Sequence, residues 1–217
     1  MKLEQIENNW AIAAAGLSKK ITSYDDKLWG CPWMRYWNRL HPNEKPKHGI
    51  FVMQDWGSQT ETLKDATLCV EKWFQHPTFL GADKTIHNLL RNGEWISAFI
   101  KGDWLITNAV WGLRTDNNKC GYLGDRIHRE AYKTIWRPLV LDAVKDNNPI
   151  QLVVAGEWAR FKDDQSNMDL SNYLAKWDTF AKIPPTISPV TIPGKVIFCA
   201  HPCTWHWRNF SGGPPLP

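Results

Sequence analysis

Hydrophobic positions along the chain gather into four short runs without clean alternation: Gly49–Met53, Asp103–Thr107, Ile150–Ala155 and Lys195–Ala200. Each is rich in Val, Ile, Phe or Leu. A strand with one wet face alternates apolar and polar residues, whereas a continuous apolar run suits a strand covered on both faces of a parallel sheet. Between the runs the period becomes helical. Leu80–Asn92 sets Ile86, Leu89 and Leu90 on one face, and Gly93 follows as a C-terminal stop. Asp125–Trp136 reads as a second helix with Asp125 as its N-cap, and Pro138 suits the first turn of a third that ends near Val144. Met1–Ala15 predicts a short amphipathic helix rather than a signal peptide. Strand, crossover and strand in repetition predict an α/β fold, a three-layer α/β/α sandwich with a central four-stranded, mainly parallel sheet.

Two segments interrupt this alternation. Leu28–Pro42 carries Trp29, Trp33 and Trp37 four apart, one stripe if helical, and Pro32 makes any helix there start at or after Cys31. Packing over the sheet is the expected use of such a stripe. Phe161–Pro193 is a longer insertion: Asp163, Asp164, Ser166 and Asn167 form a polar loop, and Leu170–Phe180 a short helix. No internal repeat or flexible linker divides the 217 residues. One domain over 1–210 is expected, with the Gly/Pro-rich 211–217 as a disordered tail.

Composition changes this picture at three points. Fourteen tryptophans are an unusual number, to be divided between core and exposed stacking platforms, with core as the main expectation. A net charge of +4 is compatible with a polyanionic partner without requiring one. The cysteines, Cys31, Cys69, Cys120, Cys199 and Cys203, are odd in number and form no CxxC pair. They read as small buried or half-buried residues in a reducing compartment, the cytoplasm, or the nucleus in a eukaryote. A metal at Cys199 and Cys203 lacks ligand spacing, so no metal is expected. No stretch is apolar for long enough to cross a bilayer, so no membrane association is expected.

In parallel sheets, ligands bind beyond the carboxyl ends of the strands. The first run there delivers Gln54, Asp55, Trp56 and Gly57, the second Asn108, the third Gly156 and Glu157, and the fourth His201, Pro202 and Cys203. Taken singly these are weak signals: an Asp after a strand is commonly a helix N-cap. Together they bring a carboxylate, an amide and an imidazole to one edge.

Five segments resemble the uracil-DNA glycosylase superfamily. "VMQDWGS" is similar to its first motif, Gly-Gln-Asp-Pro or Gly-Glu-Ala-Pro-Gly. "PTFLGADKTIHNLL" is similar to the Pro-Phe-Val-Gly segment of its thermophilic branch, and "WLITNAVWGLR" to its Ile-Thr-Asn strand end. "LVVAGEWA" resembles its third strand, and "VIFCAHPCTWHWRNF" its closing His-Pro-Ser motif. The matches run in order from about residue 49 to residue 210. The resemblance implies a monofunctional DNA glycosylase that flips a pyrimidine and hydrolyses its N-glycosidic bond. Asn108 would read the base: its NH2 donates to uracil O4 and its carbonyl accepts from N3–H, an order that cytosine reverses. Phe79 would stack on the base, and Gln54 or its backbone would meet O2. His201 would hydrogen-bond O2 and stabilise the departing base, while Asp55 would orient water toward C1′ and favour the cationic sugar. Ser58 would hold a phosphate. Trp205, Trp207 and Arg208, in the loop after His201, form a wedge and phosphate clamp, or else the two indoles alternate into the core. Arg35 and Arg39, also four apart, are candidate phosphate contacts. The implied partner is DNA, with no cofactor and a monomeric protein.

The departures bear on specificity. Trp56 stands in place of Pro, Gly57 in place of a Tyr that shuts out the thymine methyl, Met53 in place of Gly and Cys203 in place of Ser. They leave the target open among uracil, mismatched thymine and a modified pyrimidine. The four cluster cysteines of the thermophilic branch have no paired counterparts in Cys31, Cys69 and Cys120, so no iron–sulfur cluster is expected. Two other classes compete with this reading. One is a non-catalytic nucleic-acid-binding protein on the same scaffold. The other is a nucleotide- or sugar-nucleotide-processing enzyme, which would need a Gly-rich phosphate loop or metal-binding carboxylates that the sequence lacks.

Overall fold

The computed structural model describes residues 3–17, 20–23, 29–54, 93–115, 123–145, 148–165, 167–184 and 191–199. Among the described residues seven strands form in chain order: β1 (Ile21–Thr22), β2 (Gly49–Met53), β3 (Trp104–Asn108), β4 (Leu113–Arg114), β5 (Ile150–Ala155), β6 (Asn167–Asp169) and β7 (Gly194–Cys199). The helices are α1 (Leu3–Ala15), α2 (Pro32–Leu40), α3 (Gly93–Ile100), α4 (Asp125–Ala131), α5 (Arg137–Ala143) and α6 (Leu170–Phe180). A π-helical turn, Tyr132–Trp136, joins α4 to α5, and a short 3₁₀ turn, Glu157–Ala159, follows β5.

The four apolar runs become the four parallel strands, each boundary within one residue of its predicted position. They lie in the order β3-β2-β5-β7, and the short β6 adds an antiparallel edge beside β7. The sheet is therefore α/β and mostly parallel, with five strands where four were predicted. Asn167-Met168-Asp169 escapes prediction because an edge strand of three residues shows no run of apolar side chains. A separate ribbon pairs β1 with β4.

Both sheet faces carry aromatic contacts. Trp95 of α3 sits edge-on to Phe51 at 4.8 Å and to Trp104 at 4.9 Å. On the opposite face, set by the Val52–Val154–Phe198 pairing, Tyr173 of α6 packs 5.5 Å from Phe198. Such ring pairs add about 0.5–1.5 kcal/mol each beyond the area they bury. Eight of the ten tryptophans among the described residues are buried, and Trp29 and Trp158 are partly so, which makes core the main use of the indoles.

Local expectations fare unevenly. α2 starts at Pro32 with Cys31 as N-cap, and Trp33 and Trp37 pack on Phe99 of α3. Trp29 precedes the helix and meets Trp10 edge-on, so the stripe has two helical members instead of three. α6 has the predicted bounds, capped by the Asp169 carboxylate accepting from Asn172 N–H. Asp125 is not an N-cap: Gly124 holds that position and Asp125 lies in the first turn, where its charge favours the helix dipole. Gly93 opens α3, where a stop had been predicted, because the apolar residues Trp95, Ala98 and Phe99 after it carry a helical period of their own. The predicted helix Leu80–Asn92 and the tail 211–217 lie outside the described residues. No described helix is long and apolar enough to cross a membrane.

Candidate functional site

The four parallel strands end level with one another. Met53 pairs with Asn108, and Ala155 pairs with Cys199. Beyond that line Ala109 N–H donates to the Met53 carbonyl at 2.7 Å, Val110 N–H to the Gln54 carbonyl at 2.9 Å, and Gly156 N–H to the Cys199 carbonyl at 2.9 Å. After β2 the chain moves outward to β3, then crosses back to β5 and continues to β7. The topological switch point therefore lies between β2 and β5. Gln54 and Gly156 flank it, and Asn108 stands one strand away. Gly156 turns with φ 98°, a left-handed conformation that glycine adopts without a steric penalty.

Of the predicted site residues, Gln54 and Asn108 are thus brought to neighbouring strand ends. Gln54 is half-buried, and Asn108 is 1% exposed. Asp55, Ser58, Phe79, His201, Trp205, Trp207 and Arg208 lie outside the described residues. The chain that leads to His201 leaves the sheet at Cys199, at the same edge.

The floor beneath Asn108 is built from groups with no sequence signal for this role. Cys31 Sγ lies 3.7 Å from Asn108 Oδ1, and Thr107 Oγ1 lies 3.7 Å from the same sulfur. Trp111 Nε1–H donates to the Asn108 backbone carbonyl at 2.9 Å, with Thr107 Oγ1 3.3 Å away. From the far end of the chain, Trp10 Nε1–H donates to the Trp111 carbonyl. Cys31 and Asn108 are 77 positions apart, so no spacing rule links them. Only Trp111, three residues after Asn108, could have hinted at a partner. Burial pushes the Cys31 thiol up, against the opposing pull of the Met34, Asn108 and Trp33 backbone N–H groups and the Thr107 hydroxyl, so the sulfur stays protonated. Gly112 then turns the chain toward β4 with φ 147°, and a Cβ there would sit 2.8 Å from the Thr22 carbonyl.

On the β5 side of the switch point, Trp158 in the 3₁₀ turn donates from Nε1 to the Ala155 carbonyl at 2.8 Å and stacks on His128 at 5.5 Å. Burial holds His128 down at about 4, with Asp125 opposing and Arg114 reinforcing the shift. Cys199, at the end of β7, is pushed up to about 12 by burial. Among the described residues no three His, Cys, Asp or Glu side chains gather as metal ligands. Cys69, Cys120 and Cys203 lie outside them. Arg35 is not a free phosphate contact: Nε and Nη2 bind both oxygens of Glu7, at 2.8 and 3.0 Å, and tie α2 to α1. A guanidinium held bidentately by a carboxylate has its charge and fork geometry already used.

Comparison with protein-family models, with curated proteins and with solved structures finds no match to this chain.

Proposed function

We propose that the protein is a DNA glycosylase that removes uracil, or a related modified pyrimidine, by flipping the base and hydrolysing its N-glycosidic bond. The observation that carries this reading is the Met53–Asn108 register, which seats a buried carboxamide beside Gln54 at the carboxyl edge, next to the switch point. An amide there meets the first requirement of the chemistry, a donor and an acceptor held in fixed order before an extruded base. The reading carries with it a three-layer α/β/α arrangement around the four parallel strands and a pocket completed by the segments after β2 and β7.

In this mechanism Asn108 reads O4 and N3–H of the base, Gln54 or its backbone approaches O2, and Phe79 covers the ring. The C1′–N1 bond breaks with its electron pair leaving on the base, and His201 stabilises that charge at O2. Asp55 favours the oxocarbenium-like sugar and takes a proton from the water that adds to C1′. Ser58 and Arg208 hold phosphates, and Trp205 and Trp207 fill the vacated stack, an interaction of about 1–3 kcal/mol per base.

The test uses end-labelled single- and double-stranded oligonucleotides bearing one uracil, one mismatched thymine or one modified pyrimidine, treated with alkali after incubation. The expected result is a break at the target base, reduced on the order of a hundredfold or more in Asp55→Asn and His201→Ala. Binding without a break would replace this reading with a non-catalytic nucleic-acid-binding protein. Neither binding nor a break would end both.

A further inference from the structure

The polar groups beneath Asn108 form a connected cluster. The Trp111 indole N–H can only donate, and it has the Asn108 backbone carbonyl at 2.9 Å and Thr107 Oγ1 at 3.3 Å. The Thr107 hydroxyl has two acceptors in reach of its one proton, the Asn108 backbone carbonyl at 3.2 Å and Cys31 Sγ at 3.7 Å. A carboxamide oxygen can only accept, and Asn108 Oδ1 is 3.7 Å from the same sulfur. All four residues are buried, with Cys31, Thr107 and Trp111 at 0% exposure and Asn108 at 1%. At the edge of this cluster the Cys31 thiol proton has the amide oxygen of Asn108 as its acceptor.

We propose that Cys31 is a positioning residue whose S–H donates to Asn108 Oδ1 and fixes which end of the carboxamide faces α2. The two ends are nearly equal in shape, so only hydrogen bonds choose between the two orientations. Turned by a half-rotation, the amide would present its donor and acceptor in the reverse order, the order that suits cytosine. Cys31 therefore guards uracil-type against cytosine-type reading. This inference rests on the proposed role of Asn108 as the base-reading amide.

Two measurements test it. In the first, kcat/KM is measured on oligonucleotides bearing one uracil or one cytosine, alongside Tm, for the native protein, Cys31→Ala and Cys31→Ser. Removing one modest hydrogen bond should narrow the uracil-to-cytosine ratio about fivefold in Cys31→Ala. Cys31→Ser, which keeps an O–H donor, should hold the ratio within about twofold of the native value. A ratio unchanged in Cys31→Ala, with activity falling only as Tm falls, would assign Cys31 a packing role and overturn the proposal. The second readout needs no activity: the Asn108 side-chain NH2 signals in a ¹H–¹⁵N spectrum, assigned by their loss in Asn108→Ala. Cys31→Ala should split or broaden them, and a single sharp pair at native shifts would overturn the proposal. If the native protein cleaves nothing, the glycosylase reading fails by itself, and the amide spectrum alone upholds or overturns the positioning role.

Discussion

At the scale of single residues, His128 couples pH to the stability of the fold. Its ring is 1% exposed and stacked on Trp158, and burial holds its pKa at about 4 against an ordinary value of 6.5. Between those values the unfolded chain binds a proton that the native state refuses. A depressed folded pKa of this kind contributes stability above pH 6.5 that is lost as pH falls toward 4. The loss from this one group is about 2–3 kcal/mol at pH 4.5. His128→Phe, which keeps a ring against Trp158, should lose less stability than the native protein over that interval. Urea denaturation at pH 7 and at pH 4.5 measures the difference, and equal losses in the two proteins would contradict it. The position gives no such warning in the sequence, because a lone histidine in a helical pattern is the same letter whether it is buried or wet.

At the scale of elements, the turn between α4 and α5 is where local pattern and observed structure part. The period predicts one helix to Trp136 and another from Pro138, whereas the chain runs on through a π-helical turn in which Arg137 N–H bonds the Tyr132 carbonyl, five residues back. Pro138 has no N–H to offer the Thr134 carbonyl, and its ring would crowd that carbonyl in a regular α-helix; a wider turn ahead of it avoids both problems. The same widening brings residues five apart to one side. Tyr132 donates its hydroxyl, and Arg137 its Nε at 2.7 Å and Nη2 at 3.1 Å, to the single carboxylate of Asp178 on α6. Asp178→Ala would strand a half-buried guanidinium and a phenol, at a cost of about 2–4 kcal/mol in unfolding free energy. Asp178→Asn, which can still accept from both, should cost clearly less. Equal costs for the two variants would remove the shared carboxylate as the reason for the turn's geometry.

At the scale of the whole molecule, the amino-terminal helix reaches the candidate site. Trp10 is fully buried, and its indole N–H meets the Trp111 carbonyl 101 residues away, while Glu7 holds Arg35 on α2. α1 thereby braces both the loop after Asn108 and the helix that carries Cys31 at its N-cap. Trp10→Ala should lower unfolding free energy by about 3–5 kcal/mol through cavity formation and the lost bond. It should also perturb the Asn108 amide signals. A loss under about 1 kcal/mol in chemical denaturation would mean that α1 only decorates the surface.

The sequence by itself determined the four parallel strands, the starts of α2 and α6, and the meeting of Gln54 and Asn108 at one edge. Those features follow from hydrophobic runs, from Pro32 as a start signal, from the helical reading of Leu170–Phe180, and from the rule that parallel strands share a carboxyl end. Only the tertiary structure decided what lies under Asn108, which partner takes Arg35, and why one carboxylate serves both Tyr132 and Arg137. These contacts join residues tens of positions apart. Periodicity records which way a side chain faces and carries no information about which distant group meets it there.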